Sequence, residues 1–138
     1  MSKALFKQDN HGKSAQTFGS FEEFWPYYLR AHARRETRAL HIVGTTLGIF
    51  GVASWLATRR AKYLAAGLAA SYGSAWIGHF AFEGNNPAAF VNPIWSLEAD
   101  LRMYRLWLTG GLEAEMQRVL GKSGSASSGL PRRSPPGT

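Results

Sequence analysis

The chain of 138 residues carries 16 Lys and Arg against 9 Asp and Glu, a formal charge of +7, and is 45% hydrophobic. That length suits one domain, and a mean hydropathy of −0.21 averages a polar head, an apolar middle and a polar tail, so composition excludes neither a soluble nor a membrane protein. The lack of cysteine excludes disulfides, thiol nucleophiles, zinc knuckles and Cys-ligated iron–sulfur clusters, and leaves His and carboxylates to hold any metal.

Residues 1–19 are polar and without apolar period and read as a mobile N-terminal arm; no apolar run follows Lys3 and Lys7, so no signal peptide is expected, and His11 is given no role. Residues 121–138, rich in Gly, Ser and Pro, read as a disordered tail. A helical membrane domain is expected between them, over 20–120.

Ser20-Phe21-Glu22-Glu23 is a capping box, and it predicts a helix over 21–33 with Phe21, Phe24, Trp25, Tyr28 and Leu29 on one stripe. Arg30, Arg34, Arg35 and Arg38 come next, an order of aromatics and cations that suits a membrane–water boundary. Leu40–Thr58 and Tyr63–Phe82 then contain no Asp, Glu, Lys or Arg. At roughly 1.5 Å per residue each is about 30 Å long, enough to cross a bilayer. Only a short cationic turn, Arg59-Arg60-Ala61-Lys62, joins them, so an antiparallel pair is expected. Gly44-x-x-x-Gly48, facing Ala70, Ser74 and Gly78, would let the backbones approach closely. A buried hairpin in a soluble bundle is the rival reading of these two runs.

Gly84 and Pro87 break the second run. A helix over 93–109 follows, with Ile94, Leu97, Leu101, Tyr104 and Leu108 at helical spacing; it is expected to lie on the interface, with a short charged helix near 112–120 after it. The fold class is therefore all-α: an antiparallel transmembrane helical hairpin flanked by amphipathic interfacial helices.

Antiparallel packing gathers His32, His41 and His79 at one pole, with Glu83 four residues beyond His79. Neutral imidazoles with a carboxylate suit non-haem Fe(II), Mn(II) or catalytic Zn(II). The alternative makes His41 and His79 interhelical hydrogen-bond partners, His32 an exposed helix-end residue and Glu83 an arginine partner. Glu98 and Asp100 point to different helix faces and form no acid/base pair; Asp100 either joins the site or, as expected, pairs with Arg102 or Arg105 on a solvated face. No GxSxG and no phosphate loop is present, so nucleophilic hydrolysis and nucleotide chemistry lack their parts.

Phe24-Trp25-Pro26-Tyr27-Tyr28-Leu29-Arg30-Ala31-His32, His41-Ile42-Val43-Gly44-Thr45-Thr46, Trp76-Ile77-Gly78-His79-Phe80-Ala81-Phe82-Glu83-Gly84-Asn85-Asn86-Pro87-Ala88 and Trp95-Ser96-Leu97-Glu98-Ala99-Asp100-Leu101-Arg102-Met103 resemble the 2-hydroxy fatty acid dioxygenase-like family of small integral membrane proteins, over about residues 21–110. The chain departs from that pattern at Ala33-Arg34-Arg35-Glu36, Asn86 and Ala89, and keeps the metal set. The resemblance implies an Fe(II)-dependent dioxygenase of fatty acid α-oxidation that shortens a 2-hydroxy acyl chain by one carbon, with its essential histidines at His32, His41 and His79.

The expected site is thus Fe(II) on those three histidines, Glu83 as ligand or just behind them, and Arg30, Arg38, Asn85 and Arg102 on the substrate. The expected partners are a fatty acid or lipid substrate and the membrane, a homo-oligomer through the glycine faces being a further option; nucleic acid is not expected, since the cations flank apolar runs instead of lining a groove. Six arginines outside the hairpin against three cations in its turn place the termini and the site on the cytoplasmic side, in a bacterial cytoplasmic membrane. The rival function is a non-enzymatic membrane scaffold or small subunit that binds anionic lipid or a partner helix.

Overall fold

The computed structural model describes residues 7–8 and 14–125. Five α-helices make up most of these: α1 (Phe21–Arg30), α2 (Arg35–Thr58), α3 (Ala61–Ile77), α4 (Pro93–Leu108) and α5 (Leu112–Ser125). A π-helical turn, Gly78–Glu83, continues α3, and a 3-10 turn, Ala88–Phe90, precedes α4. In the expected arm, Lys7–Gln8 (β1) pairs antiparallel with Ser14–Ala15 (β2), and Phe18 packs on Phe24 and Tyr27. Residues 1–6 and 9–13, with His11 among them, lie outside the described residues, as do 126–138. Residues 121–125 of the tail expected from Gly121 are helical instead, the end of α5.

The Ser20 hydroxyl accepts from the Glu23 N–H, and Glu23 reaches back to the N–H of Gly19, one residue before the usual position. Helix α1 ends at Arg30, three residues earlier than expected, and so leaves His32 in the turn before α2. Phe24, Trp25, Tyr28 and Leu29 of α1 join Ala99 and Met103 of α4 and Leu112 and Met116 of α5 in one buried cluster, the molecule's apolar core.

Helices α2 and α3 run antiparallel along a seam of small residues. Gly44 lies against Ser71 and Ser74, Gly48 against Ser71, and Gly51 against Gly67, so position numbers rise on one helix as they fall on the other. A Cβ on Gly51 would stand 2.6 Å from the Gly67 Cα, and one on Gly44 2.8 Å from the Ser71 carbonyl oxygen. Only glycine permits that approach. The outward faces stay apolar and uncovered: Leu47, Phe50, Leu56, Leu68 and Ile77 are all exposed.

Helix α2 is long and apolar enough to cross a membrane, and it is the one such helix among the described residues. The expected second span, 63–82, is helical throughout, but its last residues wind as π around His79, which leaves α3 with 17 residues. The transmembrane hairpin is corrected to that extent. Helix α4 shows the expected periodicity, with Ile94, Leu97, Leu101 and Leu108 exposed while Ser96, Ala99 and Met103 face inward.

Glu115 ties α5 to α1 and α4: it accepts from Trp25 Nε1 at 2.8 Å and from Arg118, and stands 3.8 Å from Arg102. The Arg118 hydrogen bond chiefly holds its carboxyl down at about 2, against an ordinary 4.5. A lowered carboxyl contributes stability that is complete above its unfolded pKa and is lost as pH falls through the folded one. The wild-type melting temperature is therefore expected to fall between pH 4.5 and about 2, and the fall to be shallower in Glu115→Gln. Gly51→Leu is expected to part the helices and cost about 3 kcal/mol, whereas Gly73→Ala, with open space at its Cβ, is expected to stabilise by up to about 1 kcal/mol. Thermal melts of the two variants check the seam.

Candidate metal centre

Three imidazoles meet at the pole of the hairpin that α1 and α4 cover. His32 comes from the turn after α1, His41 from the second turn of α2 and His79 from the π turn, and all three are buried. His41 Nε2 lies 3.0 Å from His32 Nε2 and 3.2 Å from His79 Nε2. The ligand nitrogens of all three lie within 4.8 Å of one another.

The opposite ring nitrogens fix the tautomers. His32 Nδ1 donates to the Tyr28 carbonyl at 2.6 Å, His41 Nδ1 to Asp100 Oδ1 at 2.9 Å, and His79 Nδ1 to Asn85 Oδ1 at 2.7 Å. A carbonyl and a carboxylate only accept, and Asn85 spends its amide N–H on the Ala31 carbonyl, so each Nδ1 bears the proton. Burial and the two neighbouring imidazoles hold His32 well below the usual histidine range, so it is neutral at physiological pH. Its Nε2 therefore carries a bare lone pair, and the Nε2 atoms of His41 and His79 face it.

That arrangement is complementary to one cation. Two nitrogens each about 2.1 Å from a metal and at right angles about it stand about 3.0 Å apart, so the observed spacings fit a shared divalent ion. Three imidazoles, each oriented from behind by an acceptor, can serve as the donor set of a site that keeps positions open for other ligands.

Tyr28 organises two of the three rings. Its carbonyl, left free by the end of α1, takes the His32 proton; its ring stacks on His32 at 4.0 Å; its hydroxyl donates to Asp100, which holds His41. Burial, then the adjacent Asp100, pushes the Tyr28 hydroxyl well above its ordinary range, so it remains a donor. Asp100 thus joins the site instead of the solvated face, because α4 turns it inward one helical turn after Ser96.

Glu83 stands outside the imidazole group. Its carboxylate accepts from the N–H groups of Ala33 and Arg34 and from the Thr37 hydroxyl at 2.8–3.1 Å, closing the start of α2 with an acid where the helix dipole favours one. It thereby fixes the turn that carries His32. The π turn separates its direction from that of His79, which an α-helical spacing had put on one face.

The residues expected on the substrate are largely committed elsewhere. Arg38, itself buried, donates to the carbonyls of His32 and Ala33 and pairs with Glu113. Arg102 bonds Glu22 and lies over the Trp25 ring at 4.5 Å. Asn85 orients His79, and Arg30 is exposed at the end of α1. None of the four lines the small cavity of about 30 Å3 beside the imidazoles, whose walls include Tyr72, Ala75, Trp76, Pro87 and Ser96.

A family model described as 2-hydroxy-palmitic acid dioxygenase Mpo1-like matches residues 18–112, and that stretch contains every residue of the site. The chain belongs to the Mpo1-like family. No curated protein and no solved structure matches it. Tyr28 and Ser96 have no assigned role in the sequence, where Tyr28 reads only as part of an aromatic stripe, and Asp100 is expected on a solvated face; the spacing of Tyr28 four before His32 is the available signal.

His32→Ala, His41→Ala and His79→Ala are each expected to abolish stoichiometric Zn(II) or Fe(II) binding. Asp100→Asn is expected to weaken it about 10–100-fold, as loss of an orienting partner does elsewhere. Equilibrium dialysis with metal analysis checks both, and a full equivalent of metal on any His variant would contradict the cluster.

Proposed function

We propose that this Mpo1-like chain is an Fe(II)-dependent dioxygenase that shortens 2-hydroxy fatty acids by one carbon. The overall change R–CH(OH)–COOH + O2 → R–COOH + CO2 + H2O balances without a further reductant. The observation that carries the reading is the convergence of three buried imidazole Nε2 atoms whose opposite nitrogens are all tied to acceptors. The family match supplies the substrate class.

His32, His41 and His79 would hold the ion through Nε2. When bound, Fe(II) would supply a place for the acid's hydroxyl and carboxylate to chelate beside O2, and electrons for O2 to accept. The protein keeps the imidazoles aimed. Asp100 stabilises the His41 Nδ1 proton, Tyr28 shares that carboxylate, and Asn85 holds His79. Ala75, Trp76, Pro87 and Ala88 wall the cavity with apolar surface that excludes bulk water. Charge favours an anionic substrate: a divalent ion with Asp100 leaves one positive charge in a buried place, and one carboxylate cancels it.

We infer a membrane setting, with α2 crossing the bilayer, α3 antiparallel beside it, and α1, α4 and α5 at the boundary. Support comes from α2, of whose most apolar window only 22% is buried, and from the uncovered Leu47, Phe50, Leu68 and Ile77. The excess of arginine beside the site supports a cytoplasmic face for it, as the charge rule for loops requires. A fatty acid dissolved in the bilayer reaches such a site without leaving lipid.

Purified full chain loaded with Fe(II) is expected to take up one O2 per 2-hydroxyhexadecanoate consumed and to release pentadecanoate. His79→Ala is expected to lose at least 100-fold of that rate. An O2 electrode with product analysis by mass spectrometry checks it. Metal binding without O2 uptake would favour the scaffold reading instead.

A further inference from the structure

The Ser96 hydroxyl is buried and has no hydrogen-bond partner, the one such side-chain atom among the described residues. A buried polar atom without a partner is costly, and natural structures tolerate it chiefly where something else completes it. Ser96 lies on α4 one turn before Asp100, on the same face. It lines both the small cavity at the imidazoles and a second cavity of about 140 Å3.

These cavities lead onward. Tyr72, Ala75 and Asp100 are common to the first two; Thr45, Leu68, Ser71 and Leu97 are common to the second and to a groove of about 470 Å3 between α2, α3 and α4. That groove continues along α2 past Ile49 and Val52 to Leu56. Apart from Thr45, Ser71 and Asp100 at its near end its walls are apolar, and Ile49, Val52, Leu56, Leu68 and Leu97 remain exposed, so its outer side is open. From Thr45 to Leu56 the helix rises about 16 Å. An extended hydrocarbon, whose bonds of about 1.5 Å advance it about 1.25 Å per carbon, covers that distance with about thirteen carbons. A polar pole, an unpartnered hydroxyl at the junction and a long aliphatic groove in one line match a single-chain amphiphile.

We propose that the groove between α2, α3 and α4 receives the alkyl chain of the fatty acid, its far end toward Leu56, while the Ser96 hydroxyl hydrogen-bonds the polar head beside the imidazoles. This rests on the dioxygenase reading for the identity of the head, and it adds the chain's path, the residue that reads the head and the basis of length selection. Entry from the open side lets the chain slide in from lipid without threading.

Binding tests it apart from turnover. The metal-loaded full chain in detergent is titrated without O2 by 2-hydroxyhexadecanoate and by 2-hydroxyoctanoate, and is photolabelled with a 2-hydroxy acid that carries a diazirine at the far end of its chain. Ser96→Ala is expected to weaken binding of both acids about tenfold, the effect of one hydrogen bond to a charged group, with no loss in melting temperature. Val52→Trp, at an exposed site in the distal groove, is expected to weaken the long acid about tenfold and to spare the short one. Label is expected on Val52, Leu56 and their neighbours. Unchanged affinity in Ser96→Ala, equal effects of Val52→Trp on both acids, or label dispersed over outward residues such as Phe50 and Ile77 would overturn the proposal. Binding and labelling as expected in a protein that takes up no O2 would uphold the groove and overturn the reaction.

Discussion

Three buried imidazoles converge on one point, with His41 Nε2 3.0 and 3.2 Å from the other two and the ligand nitrogens all within 4.8 Å of one another, and the rest of this molecule is arranged around that constraint. The acceptors behind the rings are what make it binding. Had any one Nδ1 faced solvent, its ring could have moved its proton to Nε2 and turned that nitrogen from a metal ligand into an ordinary hydrogen-bond donor. Tyr28, Asp100 and Asn85 prevent this, and they come from α1, α4 and the loop after the π turn, so the site exists only when all the elements at that pole are docked.

The fold serves this convergence by close approach. Glycines and serines along α2 and α3 let the two backbones nearly touch, which brings His41 and His79 together across the pair. The π turn adds a wider bend where His79 must leave the α-helical path, a device common at functional sites. Glu83 then closes the start of α2 and fixes the turn that presents His32. The aromatic core of α1, α4 and α5 covers the pole, while the shaft of the hairpin keeps an apolar exterior. One end is built like a small soluble domain, the other like a surface meant for lipid.

Much of this could be read from the residues alone. The short cationic turn between two uncharged runs dictates antiparallel packing, and that puts His32, His41 and His79 at one pole. Gly44 and Gly48 marked the contact face, and the capping residues marked the start of α1. The orienting groups were hidden for a physical reason. Whether Asp100 faces Arg102 or His41 depends on the rotation of α4, and its exposed apolar stripe points away from the protein, so a reading by apolar period alone names the wrong face as inner. Glu83 was drawn to the metal because an α-helical spacing of four places it beside His79, and a π turn leaves no mark in hydrophobic period. The arginines looked free for a carboxylate, yet Arg38 and Arg102 hold the carbonyls and acids that dock α1, α4 and α5.

The most direct test is nitrogen-15 NMR of the histidine-labelled full chain in detergent, recorded before and after one equivalent of diamagnetic Zn(II). The account predicts that His32, His41 and His79 all carry the proton on Nδ1 and that their three Nε2 signals move together and stop moving at one equivalent. A proton on Nε2 of any of the three in the metal-bound protein, or signals that respond one ring at a time, would contradict it.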